Sequence, residues 1–276
     1  QSLFLKYISI NFDSYFQEQD GMLVKKQMLA TITDRLNFVA LQHDCKIEDL
    51  ASTLLVLAVK DNNFILLHIG DGVIGYMRDK DLKVASKPTN GEFSNTTVFT
   101  TSKNAISSIR LIKGNIDNIT GFVLMSDGSE ASLYHKKENR LAPAVKNIMR
   151  LIPLLPLDML QAQLEENFKN IIAKNTGDDC SIIFLAKDDF KGYAHLSETD
   201  KYSLFGIPKT ENSAKRVKRY DAIIHYLQDW RTEKEISKFL HLKPKYVKSK
   251  YIDTLLNYDF IECHNHRYKS ILIMEK

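Results

Sequence analysis

Six short runs of apolar and β-branched residues most restrict how this chain can fold. They are STLLVLAVK, NFILLHIG, VIGYMR, NTTVFTTS, GFVLMS and SIIFLA, and turn-forming stretches such as KDNN, GDG and RDKD separate several of them. Runs of this length are typical of β-strands. Helices are predicted over residues 2–17, 22–43 and 157–174, where apolar residues recur every three or four positions. This order predicts an α+β domain, in which helices cover antiparallel sheets.

The chain is predicted to contain two domains. The α+β domain is expected to occupy residues 1–187, and the polar, weakly periodic residues 188–219 are interpreted as a linker. Residues 220–276 hold three amphipathic segments and two short strands around a polar loop, an order that is typical of a small winged-helix domain. Thr232 and Glu235 form a capping-box pattern at the second of these helices, and Pro244 stands at the start of the third.

Composition indicates a cytoplasmic protein. The three cysteines are far apart and odd in number, which argues against a disulfide framework and fits a reducing compartment. No run reaches the roughly 18 consecutive apolar residues of a membrane span. The first residues lack the basic leader and the cleavage site of a signal peptide, so no membrane association is expected.

Aspartates stand at the ends of three predicted strands. Asp71 and Asp127 each follow an apolar run and precede a glycine, and Asp178 comes just before the last run. A turn explains any one of them, but three suggest that several strand ends meet. Carboxylates are the ligands that Mg²⁺ and Mn²⁺ prefer, and two such ions can catalyse phosphoryl transfer to water. The residues predicted to lie near these three candidate ligands are Gly72, Ser126, Gly128 and Asp179.

Motif order identifies a family resemblance over about residues 1–187. The stretches ASTLLVLAV, HIGDGVIGY, GEFSNTTVFTTS, VLMSDGSE and GDDCSIIFL occur in the order seen in the metal-dependent, type 2C serine/threonine protein phosphatases. The chain most resembles their compact bacterial branch. The resemblance implies an antiparallel β-sandwich flanked by helix layers, with a metal cluster at one end of the sandwich.

The resemblance also implies roles for the three acids. Asp127 matches the acid of the family's S-D-G motif and Asp178 the first acid of its D-N-x-T motif, although here Asp179 and Ser181 replace Asn and Thr. Asp71 matches the acid linked to a third, weaker metal. Two Mn²⁺ or Mg²⁺ ions would hold a water that attacks the phosphorus of a phosphoserine or phosphothreonine, without a covalent enzyme intermediate. The implied partners are a phosphorylated protein and a cognate kinase.

The sequence departs from the family at its beginning. The early D-G-x-G motif, whose acid bridges both metals in the family, has no counterpart before the first helix. Asp20 and Gly21 lie between the first two helices, and we interpret them as a loop. We expect that an N-terminal piece carrying the motif and two or three strands is missing from the sequence. The alternative is a protein that has lost its central metal ligand.

The last domain is the basic part of the chain. Residues 205–276 hold 15 Lys or Arg and 9 Asp or Glu, a net charge of +6. In a winged-helix DNA reader, the second helix of the helix-turn-helix enters the major groove. The candidate DNA-contacting residues are Lys243, Lys245, Lys248 and Lys250 around that helix and Arg267 and Lys269 on the wing. Winged helices also mediate protein contacts, so fold alone does not choose between these uses.

Three functional hypotheses follow from these patterns. The first is a bacterial, metal-dependent protein serine/threonine phosphatase with a winged-helix module for DNA or a partner. The alternative is a catalytically inactive, phosphatase-like regulator that binds a phosphoprotein or kinase and DNA. A third reading is a DNA-binding protein whose larger domain only assembles oligomers.

Overall fold

The computed structural model describes residues 2–79, 81–88, 97–152, 154–155, 157–186, 192–272 and 274, with the backbone alone at 2, 3, 159, 203 and 212. The chain divides into two compact units. Unit 1 comprises residues 1–145 and 167–185, and unit 2 comprises residues 146–166 and 186–276. This division differs from the predicted one, because a segment inside the predicted first domain belongs to unit 2. None of the described helices is long and apolar enough to cross a bilayer.

Unit 1 begins with two helices and continues mainly as strands. Its elements are α1 (Ser2–Gln17), α2 (Gly21–Gln42), β1 (Leu54–Lys60), β2 (Asn63–Ile69), β3 (Val73–Arg78), β4 (Asp81–Ser86), α3 (Ala105–Ser108), β5 (Arg110–Asn115), β6 (Ile119–Met125), α4 (Asp127–Leu133), β7 (Tyr134–His135), β8 (Arg140–Leu141) and β9 (Ile182–Ala186), whose last residue falls in unit 2. The predicted helices over residues 2–17 and 22–43 are confirmed. Asp20 caps α2, because its Oδ1 accepts hydrogen bonds from the backbone N–H groups of Met22 and Leu23.

Two antiparallel sheets form the centre of unit 1. One has the strand order β1-β2-β5, and the other has the order β4-β3-β6-β9. The hairpin of β1 and β2 turns at Asp61, which has a left-handed φ of 52°. The α+β class with antiparallel sheets is therefore confirmed.

Alternation along β2 explains how the layers pack. Phe64 and Leu66 pack with Phe122 and Leu124 of β6, so they fill the space between the two sheets. Ile65, Leu67 and Ile69 pack with buried residues of α1 and α2 on the opposite face. Because successive side chains of a strand point to opposite faces, β2 is buried on both sides.

One strand prediction differs from the structure, and two of the longer strands were missed. The stretch NTTVFTTS was predicted as a strand, but its described part, residues 97–102, contains only an isolated bridge at Thr97, and residues 95–96 lie outside the described part. β4 and β5 were not predicted. Both contain charged residues between apolar ones and lie at sheet edges, where one face or edge stays accessible and the apolar signal is weak.

Unit 2 is mainly helical. Its elements are α5 (Pro143–Leu151) and α6 (Leu157–Asn167), each of which extends slightly into unit 1, followed by α7 (Glu198–Leu204), α8 (Glu211–Tyr226), β10 (Arg231–Thr232), α9 (Glu233–Leu240), α10 (Pro244–Val247), α11 (Asp253–Asn257), β11 (Ile261–His264) and β12 (Arg267–Ser270). A π-helical turn, Lys248–Ile252, joins α10 to α11. The three strands form an antiparallel sheet of order β10-β12-β11. Thr232 caps α9 together with Glu235, as the capping-box pattern predicts.

The prediction of a linker over residues 188–219 is wrong for most of its described part. This part contains α7 and the first nine residues of α8, which begins after Thr210 because the threonine hydroxyl caps the helix. Tyr193 and Phe205 are buried, and the Phe205 ring stacks on Tyr220 at 4.9 Å. The apolar residues here are few and irregularly spaced, so their burial could not be inferred from periodicity. Residues 188–191 lie outside the described part of the chain.

Candidate metal centre

The first candidate ligand, Asp127, lies where β6 ends. β6 is buried almost throughout, and Ser126 turns the chain into α4 with an extended backbone. The Asp127 carboxylate accepts a hydrogen bond from the backbone N–H of Gly128 at 3.0 Å. A buried strand thus delivers this carboxylate to the start of a helix, where the free N–H groups favour a negative charge.

A set of hydrogen bonds holds the segment around Asp178 against the start of α4. The backbone N–H of Ser126 donates to the Ser181 carbonyl at 3.0 Å, and the backbone N–H of Ser181 donates to Ser126 Oγ at 2.9 Å. The hydroxyl of Ser126 lies 3.2 Å from the Asp179 carbonyl, and that of Ser129 donates to the Ser181 carbonyl at 3.0 Å. These bonds bring residues more than 50 positions apart together, so that Asp178 comes near Asp127.

Gly128 permits this close approach. A Cβ atom at this position would lie 2.5 Å from the carbonyl oxygen of Asp179, well inside van der Waals contact. Only glycine fits between α4 and the 178–181 segment, which accounts for the glycine after Asp127.

Asp71 lies in the turn between β2 and β3. Val73, the first residue of β3, pairs with Met125, the last residue of β6, so the turn adjoins the strand end that carries Asp127. A Cβ on Gly72 would lie 2.7 Å from the Met125 carbonyl, so this turn also packs tightly. Thr97 Oγ1 donates a hydrogen bond to Asp71 Oδ2 at 2.5 Å. The sequence provided no signal for this contact, because Thr97 is distant from Asp71 in the sequence and belongs to a stretch that was predicted as a strand.

The charges of Asp71 and Asp178 act on the carboxylate of Asp127. Burial is the main cause that raises the pKa of Asp127, and the charge of Asp71 raises it further. The Gly128 N–H opposes this rise, and the charge of Asp178 adds to it. We call Asp71, Asp127 and Asp178 the acid site, because the charges of the other two act on Asp127 and no cation is among the causes of its shift.

Glu130 is a carboxylate near the acid site that sequence reasoning missed. It is only 2% exposed, and burial raises its pKa, although Lys136 Nζ lies 3.3 Å from Oε1 and lowers it. The charges of Asp127 and Asp71 contribute smaller increases. The one available signal was the spacing of three between Asp127 and Glu130, which places both on one side of a helix.

The acid site fits a divalent cation in its chemistry. Within the described ranges, no three His, Cys, Asp or Glu side chains are already arranged to hold a metal ion. However, the donors are hard carboxylate oxygens, and burial, followed by the charges of Asp71 and Asp178, raises the pKa of Asp127. Mg²⁺ and Mn²⁺ take such donors, and a bound cation would offset this repulsion.

The candidate DNA-contacting residues lie in unit 2. Lys243, Lys245, Lys248 and Lys250 are all exposed, on α10, its N-cap and the π-helical turn that follows. On β12, Arg267 is exposed and Lys269 is half-buried. Four of the six predicted cations therefore lie within one short helical segment.

Comparison with known proteins gives a family match. A family model described as protein phosphatase 2C matches residues 3–168. Among solved structures, the catalytic domain of the serine/threonine protein phosphatase PstP, in complex with two manganese ions, is 16% identical, covers 67% of this chain and 79% of its own, and has a TM-score of 0.44. Serine/threonine phosphatase Stp1 from Staphylococcus aureus is 15% identical, with coverages of 62% and 69% and a TM-score of 0.43. The S. agalactiae serine/threonine phosphatase is 14% identical, with coverages of 62% and 74% and a TM-score of 0.43. No curated protein sequence matches the chain.

Proposed function

The chain belongs to the protein phosphatase 2C family, and on this premise we propose that it is a metal-dependent protein serine/threonine phosphatase. The substrate class is a protein that carries phosphoserine or phosphothreonine, and a kinase that makes these groups is the implied counterpart. Asp127, Asp178 and Asp71 are the proposed metal ligands. Gly72, Ser126, Gly128 and Asp179 shape the site around them.

One observation carries this proposal: strand pairing and the Ser126–Ser181 hydrogen bonds bring three separate strand ends, each with a carboxylate, together. The pKa of Asp127 is raised by burial and by the charges of Asp71 and Asp178, which are 56 and 51 positions away in the sequence. Repulsion of this kind costs folding free energy unless a cation offsets it. Two residue-specific contacts, the Ser126–Ser181 pair and the Gly128–Asp179 approach, support the same geometry.

The ions, when bound, would lower the pKa of a water molecule and neutralise the phosphoryl oxygens. The protein's own contribution is positioning. Ser126 holds the segment that carries Asp178, Gly128 allows that segment to approach, and Thr97 orients the Asp71 carboxylate. Glu130 is buried near Asp127, and Lys136 pairs with it.

Manganese binding and phosphatase activity of the natural-length protein test the proposal together. Mn²⁺ binding is measured by isothermal titration calorimetry, and hydrolysis is measured with a phosphothreonine peptide. Asp127→Asn should abolish hydrolysis and weaken Mn²⁺ binding by at least about tenfold, because a ligand charge is lost. Asp34→Asn is the matched control, since Asp34 is exposed on α2 away from the three strand ends.

Two results would separate the hypotheses. Absence of Mn²⁺ binding in the wild-type protein would overturn the metal site. Mn²⁺ binding that Asp127→Asn weakens, without hydrolysis of any phosphopeptide, would instead favour the catalytically inactive regulator.

We also propose that residues 220–276 form a winged-helix module that binds duplex DNA. The four exposed lysines around α10 and the two basic residues of β12 support this role, since phosphate neutralisation provides most of the non-specific affinity for DNA. Lys245→Gln combined with Lys248→Gln should weaken duplex binding and reduce its dependence on salt. A wild-type protein that binds no duplex at low salt would contradict the DNA role.

A further inference from the structure

The middle of α8 carries a basic segment that the predicted DNA-contacting set does not include. Its cations are Lys215, Arg216, Lys218 and Arg219, and the sequence contains no Asp or Glu from residue 212 to residue 220. Lys215 and Lys218 are exposed, and the two arginines are half-buried. We call these four residues the α8 basic segment.

Tyrosine hydroxyls hold both arginines in place. Arg219 Nη1 donates a hydrogen bond to the hydroxyl of Tyr251 at 2.9 Å. Arg216 donates from Nε and Nη2 to the hydroxyl of Tyr220 at 3.2 and 3.0 Å. Each guanidinium also lies within 6 Å of the ring of its tyrosine, so each arginine is fixed by more than one contact.

The same tyrosines connect α8 to the lysines around α10. Tyr251 is part of the π-helical turn Lys248–Ile252, and the hydroxyl of Tyr220 donates to the Lys250 carbonyl at 3.2 Å. The two rings meet edge to face at 5.4 Å. The α8 basic segment therefore adjoins the segment that holds Lys248 and Lys250.

Eight cations consequently lie on α8 and on the adjoining segment 243–250 of unit 2. They are the four residues of the α8 basic segment together with Lys243, Lys245, Lys248 and Lys250. In the described part of the chain, none of the eight has an acidic side chain within ion-pair distance. The sequence also has no Asp or Glu from residue 236 to residue 252. This charge is uncompensated, which favours a polyanion as the partner.

We propose that the α8 basic segment is a second phosphate-contacting element, so that α8 and the Lys243–Lys250 segment bind the backbone of one DNA duplex. The inference rests on the DNA-binding role proposed above. Duplex DNA fits better than an acidic protein, because its regularly repeated phosphates can meet many separate cations at once. Arginines already held in place lose little conformational freedom when they bind phosphate.

Fluorescence anisotropy with a short labelled DNA duplex of arbitrary sequence tests this inference. The variant is Lys215→Gln with Lys218→Gln, since these exposed side chains make no hydrogen bond or ion pair within the described residues. Lys26→Gln with Lys103→Gln removes the same charge from exposed positions of unit 1 and serves as the control. A third variant, Lys245→Gln with Lys248→Gln, reports on the proposed DNA site itself.

The expected effect follows from counterion release. Two lost phosphate contacts should reduce the slope of log K against log salt by about 1.8, which corresponds to roughly 60-fold weaker binding at about 0.1 M salt. The unit 1 control should bind like the wild-type protein.

Each contrary result has a distinct meaning. If Lys245→Gln/Lys248→Gln weakens binding but Lys215→Gln/Lys218→Gln does not, the α8 inference is overturned and the DNA role stands. If the control weakens binding as much as the α8 variant, only net charge matters, and the inference is overturned as well. If the wild-type protein does not bind the duplex, both the DNA role and the inference fail.

Discussion

Replacing Gly128 with alanine directly tests whether close packing organises the acid site. The new Cβ would lie 2.5 Å from the Asp179 carbonyl oxygen, whereas ordinary contact begins at 3.4 Å, so α4 and the 178–181 segment must separate by about 0.9 Å. The obstacle is backbone on both sides, so no side chain can rotate away. Because Asp127 and Asp178 stand on the two separated segments, the distance between their carboxylates must change.

Gly128→Ala should lower both the stability of the protein and its affinity for Mn²⁺. Overpacking of this kind costs about 1–3 kcal/mol of unfolding free energy, which corresponds to a fall in Tm of about 2–12 °C for a chain of this size. Mn²⁺ affinity should fall about 10- to 100-fold, as when support of a metal ligand is disturbed. Differential scanning calorimetry and Mn²⁺ titration measure the two quantities on the same sample.

Gly177→Ala provides a matched control directly before the 178–181 segment. A Cβ at position 177 would have no atom within 4 Å, so this variant should keep the Tm and the Mn²⁺ affinity of the wild-type protein. If Gly128→Ala binds Mn²⁺ as tightly as Gly177→Ala does, contact between α4 and the 178–181 segment does not position the acids, and the reasoning is refuted.

Three further predictions concern single side chains. Ser126→Ala leaves the Ser181 N–H without its 2.9 Å acceptor, so urea unfolding should show a loss of about 1 kcal/mol, and no loss would mean that water replaces the hydroxyl. His68 is buried, and burial, followed by the charge of Arg110, lowers its pKa to about 4. As the pH falls below 6.5, the ordinary pKa of histidine, the unfolded chain therefore binds a proton before the folded chain does. The stabilising contribution of neutral His68 is therefore complete above pH 6.5 and is lost towards pH 4, with a loss of about 2 kcal/mol in unfolding free energy between pH 7 and pH 5. Urea titrations should show that His68→Gln lacks this part of the pH dependence. An unchanged pH dependence would rule out His68 as its source. Thr232→Ala removes the cap of α9 and should lower the free energy of unfolding by about 1 kcal/mol in urea titrations, whereas an unchanged value would show that Glu235 alone satisfies the helix start.

Local sequence signals predicted the elements whose stability is largely local. The spacing of apolar residues gave the bounds of α1 and α2 to within one or two positions, and the turn-forming stretch KDNN separated the runs that form β1 and β2. The threonine and glutamate at positions 232 and 235 predicted the start of α9. In each case residues a few positions apart interact, so the pattern is visible in the sequence.

Other elements depend on distant partners and were not predicted. α7 and the start of α8 occupy a region interpreted as a linker, because Tyr193 and Phe205 are buried by residues such as Tyr220 that lie elsewhere in the sequence. β5 contains charged residues and becomes a strand through pairing with β2. Such long-range contacts leave little trace in local periodicity.

The difference between local and long-range signals also holds for the proposed site. The sequence by itself determined that Asp71, Asp127 and Asp178 stand at strand ends, since an apolar run bounded by an acid and a glycine is a local pattern. Tertiary structure alone decided that these ends adjoin, because β3 pairs with β6 and the Ser126–Ser181 bonds join segments that are 55 positions apart. Tertiary structure likewise decided that α8 adjoins the lysines around α10, through hydroxyl groups whose partners no sequence pattern specifies.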